Sequence, residues 1–136
     1  MQLVPYLNFD GTCKAAFEFY AKVLRGRIAF MQTFGESPMA SQMPPDAANR
    51  VMHVRVEAES ALLMGSDAPP GQGKKTQGFA VALVLKEPAE AERIFEALSE
   101  RGKVDMPMQQ TYFADRFGMC VDKFGTPWIV NGNLHD

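Results

Sequence analysis

Two stretches decide how this chain is read: Phe19–Ile28, FYAKVLRGRI, and Phe95–Val104, FEALSERGKV. Aligning Phe19 with Phe95 places Ala21 on Ala97, Arg25 on Arg101, Gly26 on Gly102, Arg27 on Lys103 and Ile28 on Val104. Each reads as the end of an amphipathic helix, a glycine stop, and the start of a strand. In the first copy, Ala16, Phe19, Tyr20, Val23 and Leu24 recur at helical spacing and form one apolar stripe. In the second, Ala91, Ile94, Phe95 and Leu98 form the stripe. Pro88 there fits the first helical position, Glu90 and Glu92 lie in the positive first turn, and Arg101 lies in the last turn.

Working outward, Leu3 to Phe9 reads as a strand, and Asp10-Gly11-Thr12 as a turn in which Thr12 caps the first helix. Strands are predicted over Arg27 to Phe34, from Val51 in VMHVRVE, and from Ala61 in ALLMGS. The later strands are FAVALVL from Phe79, Val104 to Tyr112, Arg116 to Asp122 and Pro127 to Asn131. The order is strand-helix-strand-strand-strand, written twice: an α+β fold of two βαβββ modules in a single domain over residues 1–136. Module one covers about 1–66 and module two about 78–136. Neither half is large enough to bury a sheet face alone, which gives the duplication a physical reason. Two long loops interrupt the pattern, GESPMASQMPPDAANR from Gly35 and DAPPGQGKKTQG from Asp67. Met39 and Met43 in the first suit an adaptable binding lid, or packing on a neighbour.

Bulk properties narrow the function classes. The 136 residues are 46% apolar and 22% charged, an ordinary globular balance, with a formal net charge of −2. Dispersed Lys and Arg argue against nucleic-acid and anionic-membrane surfaces. The N-terminus has no signal-peptide pattern, and no run approaches the roughly 18 apolar residues that span a bilayer. Cys13 and Cys120 have no CxxC spacing and read as free thiols. A cytoplasmic protein is expected.

Several motifs carry a resemblance over essentially the whole chain: VPYLNFDGTCKAAFEFY from Val4, FGESP from Phe34, HVRV from His53, LLMGSDA from Leu62 and DKFGTPWIVN from Asp122. Together with the doubled βαβββ pattern, the chain resembles the PhnB-like branch of the vicinal-oxygen-chelate superfamily. That superfamily contains glyoxalase I, extradiol dioxygenases and bleomycin-resistance proteins. The branch is often labelled 3-demethylubiquinone methyltransferase-like. The resemblance implies a cleft in each half, a homodimer, and, in metal-using members, two histidines and two glutamates from four strands. By register those four positions fall on Pro5, Met64, Phe79 and Ile129. None supplies an imidazole or carboxylate, and the Met64 thioether is a poor donor for a hard cation. No metal and no cofactor are therefore expected. A methyltransferase of the usual sort needs a doubly wound sheet with a glycine-rich first turn, whereas FDGTCK from Phe9 has one glycine.

The candidate site residues each have two readings. His53 could move a proton near neutral pH, or be a half-buried strand histidine; in MHVRV it is expected to share a face with Val51 and Arg55. Ser66 and Asp67 would form a polar rim, or serve turn chemistry. Pro5, Met64, Phe79 and Ile129 would line an apolar cleft or fill it, and Asn131 would offer its amide on the same side as Ile129. Tyr112, Phe113, Phe117 and Trp128 read as core or interface packing. The expected function is a metal-free small-molecule-binding protein holding an apolar or aromatic compound. The alternatives are a glyoxalase- or dioxygenase-like enzyme, with an unrecognised metal site or His53 acid–base chemistry, and a structural or regulatory dimer with a filled cleft.

Overall fold

A computed structural model of the chain describes residues 1–135, which divide into two compact units, Met1–Lys74 and Lys75 onward. The first contains β1 (Tyr6–Phe9), α1 (Cys13–Val23), β2 (Arg27–Thr33), β3 (Val51–Ala58) and β4 (Ala61–Asp67). Its sheet runs β1-β4-β3-β2, with β1 parallel to β4 and the other pairs antiparallel. The second contains β5 (Val81–Leu85), α2 (Pro88–Ser99), β6 (Lys103–Gln109), β7 (Ala114–Val121) and β8 (Pro127–Leu134), ordered β5-β8-β7-β6 with the same polarity. The architecture is the α+β pair of βαβββ modules that the sequence predicts.

The repeat extends to the register. Tyr6 pairs with Met64 as Ala82 pairs with Ile129, and Arg55 pairs with Met64 as Met119 pairs with Ile129. Likewise Phe30 pairs with Arg55 as Met106 pairs with Met119. These matches relate the halves residue by residue, far beyond the two helix ends.

Each helix covers one face of its own sheet. In α1 the buried side chains are Cys13, Ala16, Phe17, Tyr20 and Val23, while Phe19 and Leu24 are only half-buried, so the stripe is rotated from the predicted one. The cause is Gly65: a Cβ there would lie 2.6 Å from the Phe17 ring, so the bare backbone of β4 makes room for Phe17. In α2 the buried residues are the predicted Ala91, Ile94, Phe95 and Leu98. Here Phe95 lies over Gly118 of β7, where a Cβ would approach it to 2.7 Å.

The two helix starts differ from expectation and from each other. Thr12 makes no side-chain cap. Asp67, at the far end of β4, supplies it instead: Oδ1 accepts from the N–H groups of Gly11 (2.8 Å) and Cys13 (3.1 Å), and Oδ2 from Val51 (2.9 Å). A carboxylate at this end of α1 also complements the helix dipole. In the second unit Gly132 occupies the matching position, and its backbone lies close to Pro88, which lacks an N–H.

The helix ends also need correction. Gly26 and Gly102 are not the left-handed residues; Arg25 (φ 53°) and Arg101 (φ 60°) are. After α1 the Gly26 N–H bonds the Ala21 carbonyl and the Arg25 N–H bonds Lys22, a Schellman arrangement. The glycines are needed for space. A Cβ on Gly26 would lie 2.3 Å from the Glu57 carbonyl oxygen, and one on Gly102 2.2 Å from that of Val121.

Strand boundaries shift as well. β1 begins at Tyr6 and not Leu3, β5 begins two residues after Phe79, and β8 continues past Asn131 to Leu134. The loop after β2 is built from three short 3-10 turns, the first closed by a reciprocal Thr33–Glu36 capping box. Met39 on this loop is exposed and Met43 half-buried.

Candidate functional site

With α1 on one side of the first sheet, its other side carries a mixed polar and aromatic face. Gly65 faces Phe17, so its neighbours Met64 and Ser66 point away from the helix. Tyr6, Met64, Arg55 and Phe30 lie in one row across β1, β4, β3 and β2. Asn8 and Ser66, with His53 and Gln32, form the next. The Tyr6 ring is stacked on His53 (centroids 5.7 Å, 17° between planes) and its hydroxyl lies 3.1 Å from His53 Nδ1. Phe30 flanks the same imidazole at 5.9 Å. The Ser66 hydroxyl donates to the Asn8 side-chain oxygen at 3.4 Å.

His53 reaches this face by regular alternation from Arg55, and β3 is irregular only before it: Gln32 pairs with His53, yet Thr33 pairs with Val51. The extra residue, Met52, shifts the alternation. Val51 is therefore fully buried with Val54 and Val56, and His53 shares its face with Arg55 alone of the two expected neighbours. Glu57, next along the strand, holds Arg27 at 2.8 Å and lies 3.4 Å from Arg55 Nε.

The matching face of the second sheet is apolar. Ala82, Ile129 and Met119 form one row and Val84, Asn131 and Phe117 the next, on the side away from α2. Where the first unit has Ser66, His53 and Arg55, the second has Asn131, Phe117 and Met119. Asn131 is buried and its amide donates to the Leu83 carbonyl at 3.4 Å. Phe117 meets Phe113 edge-on at 5.0 Å, and Phe113 meets Tyr112 at 5.2 Å. Tyr112 is almost wholly exposed, whereas Trp128 is buried on the α2 side and donates its indole N–H to Asp122 at 2.8 Å. The late aromatics are thus not one cluster.

Met64, Ser66, Ile129, Asn131 and His53 lie on these open faces, the first, second and last in one unit and the others in the second. Pro5 and Phe79 precede β1 and β5; Pro5 is exposed, its carbonyl accepts from the Met64 N–H, and Phe79 is 50% exposed. The strand residues that occupy the first open-face positions are Tyr6 and Ala82. The sequence pattern gives Tyr6, Asn8, Phe30 and Gln32 no site role, and marks Arg55 only as a face neighbour of His53. Strict alternation outward from the apolar Leu7 and Phe9 is the signal that finds Tyr6 and Asn8.

Both cysteines are free and buried. Burial pushes each thiol up from its ordinary value, helped at Cys13 by the nearby Asp67 carboxylate. A thiol so shifted is a poor nucleophile.

The donor set on these faces does not fit a catalytic divalent ion. Among the described residues no group of three or more His, Cys, Asp or Glu is placed to hold one. The rows in question carry Tyr6, Met64, Ala82 and Ile129. A methyl-donor nucleoside fares no better by architecture. Both sheets are four-stranded and mixed, with no doubly wound switch point, and the Gly11 and Cys13 N–H groups at the first strand–helix turn are already bonded to Asp67. Among the described residues no helix is long and apolar enough to cross a membrane.

The doubled βαβββ architecture is that of the glyoxalase and bleomycin-resistance superfamily. A glyoxalase-related enzyme from Fulvimarina pelagi matches it with a TM-score of 0.64, at 13% identity, over 98% of this chain and 89% of that one. Within that class the chain belongs to the PhnB-like family, whose model, described as 3-demethylubiquinone-9 3-methyltransferase, matches residues 1–131. It is 34% identical to Protein YjdN of Escherichia coli K12, covering 96% of this chain and 95% of that protein. The crystal structure of protein PA1353 from Pseudomonas aeruginosa is similar throughout, with 41% identity and a TM-score of 0.90, covering 100% of this chain and 99% of that one.

Proposed function

We propose that this protein binds a small apolar or aromatic molecule without a metal ion, as a cytoplasmic homodimer. One observation carries the reading. The open faces keep accessible aromatic, thioether and aliphatic side chains, Tyr6, Phe30, Met64, Met119 and Ile129, at rows whose chemistry does not suit a divalent ion. Small-molecule sites are built in this way, from apolar walls with a few placed polar groups. The exposed Val84 and Val104 of the second unit supply apolar area for the dimer. Native mass spectrometry of untagged protein, purified without added metal, tests the whole reading. A dimer with a co-purified organic mass is expected; a stoichiometric zinc-, nickel- or iron-sized adduct removed by chelator would sink it. For whatever compound is recovered, Ile129→Ala or Phe79→Ala should weaken binding about fivefold by calorimetry. Trp128→Ala, on the helix side, should leave the affinity of the folded fraction unchanged, and equal effects from all three would refute the placement.

The Tyr6–His53 hydrogen bond favours a second reading, in which His53 is an acid–base catalyst held in orientation by Tyr6. With a turned-over compound in hand, His53→Ala should lower kcat by about a hundredfold or more. Undiminished turnover in that variant rules the catalyst out and leaves the binding protein standing.

A further inference from the structure

We infer that the open face of the first sheet takes an organic acid: a flat ring lies against the Tyr6–His53–Phe30 group, and the oxyanion meets the Arg55 guanidinium. This rests on the binding reading above and names the chemical class of its ligand.

The starting observation is an arginine without a full set of partners in the middle of a sheet face. Arg55 Nε is shut off from solvent and makes no hydrogen bond. Its contact with Glu57 Oε2, at 3.4 Å, is an ion contact without hydrogen-bond geometry, and Glu57 is held more closely by Arg27 at 2.8 Å. No partner among the described residues meets the two η nitrogens of Arg55, and 41% of its side chain is accessible. A guanidinium has five N–H donors in a rigid planar fork, and leaving them unmatched at a partly desolvated position is unfavourable. A carboxylate of a bound molecule is the complementary group.

Charge on this face agrees. Arg27 and Arg55 both lie against Glu57, so two cations face one carboxylate. The remaining neighbours, Tyr6, Asn8, Phe30, Gln32, Met64 and Ser66, are uncharged. An anion therefore arrives at a net positive patch with hydroxyl and amide groups one row away.

The aromatic part sets the rest of the molecule. Arg55 and His53 are two residues apart on β3 and share a face, so their Cα atoms are separated by about 7 Å. That is the span from a carboxylate to the far side of a fused ring. Tyr6 and His53 are already stacked, and Phe30 sits beside His53, so a ring meets a preformed platform at small conformational cost. The second nitrogen of His53, Nε2, has no partner among the described residues and can bond a substituent on that ring.

The test compares 2-naphthoate, its neutral isostere 2-naphthamide, and inorganic phosphate, each titrated into the full-length protein by NMR, following backbone amides and the Arg55 side-chain Nε–H. Naphthoate should bind about tenfold or more tighter than the amide and shift the Arg55 Nε–H resonance. Arg55→Gln should remove that preference while leaving amide binding intact. Glu57→Gln, which frees Arg55 from its competing carboxylate, should strengthen naphthoate binding severalfold, and serves if the Arg55 variant folds poorly. Equal affinity for acid and amide, or a preference that survives Arg55→Gln, overturns the inference and leaves the parent reading intact. Phosphate binding as tight as naphthoate overturns the aromatic half. Failure of both ring compounds to bind overturns the inference alone, since the parent reading is decided by the mass of the purified protein.

Discussion

Asp67→Ala should lose about 3 kcal/mol or more of folding stability in urea denaturation, because two buried N–H groups and one part-buried one lose their acceptor at once. Asp67 is 3% exposed, and its two oxygens tie the turn after β1, the first residue of α1 and the first residue of β3. Thr12, the hydroxyl at the N-cap, makes no cap bond of its own. Asp67→Asn should fall between, because one amide oxygen still accepts while the NH2 group faces donors. A loss under about 1 kcal/mol for the alanine variant would mean that water or Thr12 takes over, and that the carboxylate does not organise this unit.

Gly26→Ala and Gly102→Ala should each be destabilising by about 2–4 kcal/mol, an unusually high cost for adding one methyl group beside a helix end. The obstacle in both is a carbonyl oxygen of the neighbouring strand, Glu57 or Val121, at little more than 2 Å from the added carbon. Backbone has to move, unlike the tip of a flexible side chain. The adjacent left-handed arginines give the opposite result. Arg25→Gly and Arg101→Gly should be neutral or stabilising by up to about 1 kcal/mol, since glycine carries no Cβ penalty at positive φ. Thermal unfolding separates the cases: a Gly26→Ala protein melting within about 2 °C of the parent would show that the strand yields easily.

Those glycines also show what sequence can and cannot give. Arg25-Gly26 and Arg101-Gly102 mark the repeat correctly, yet helix-end statistics assign the left-handed position to the glycine. Only the packed strand reveals that the glycine is there for space and the arginine carries the positive φ. Strand order and helix stripes followed from local periodicity, most cleanly in α2, where all four predicted residues are buried. In α1 the stripe turned because Phe17 settles over Gly65, a pairing some 48 residues apart that no local window contains. The site was less legible. Met64 and Ile129 follow from the register the resemblance implies and Asn131 from alternation past Ile129, and with Ser66 they lie on the open faces, but the irregularity at Met52 reset the phase of β3 and moved Val51 away from His53. Arg55 stands out in the sequence only as a face neighbour of His53, since an arginine alternating with valines has the pattern of an ordinary solvated face. Its missing partners are a property of three-dimensional neighbours alone.

The unequal helix starts bear on how the chain acquires its structure during synthesis. The second helix begins at Pro88, whose fixed φ and missing N–H belong to its own sequence, and the Glu87 carbonyl next door accepts its first bonds. That helix can nucleate as soon as its residues leave the ribosome. The first helix waits for Asp67, more than fifty residues downstream, so its start closes only after β3 and β4 have been made and have docked. Although the first half emerges earlier, its helix is the later of the two to become secure relative to its own translation. A nascent chain halted before residue 67 should hold α1 frayed, and one released a few residues beyond it should not.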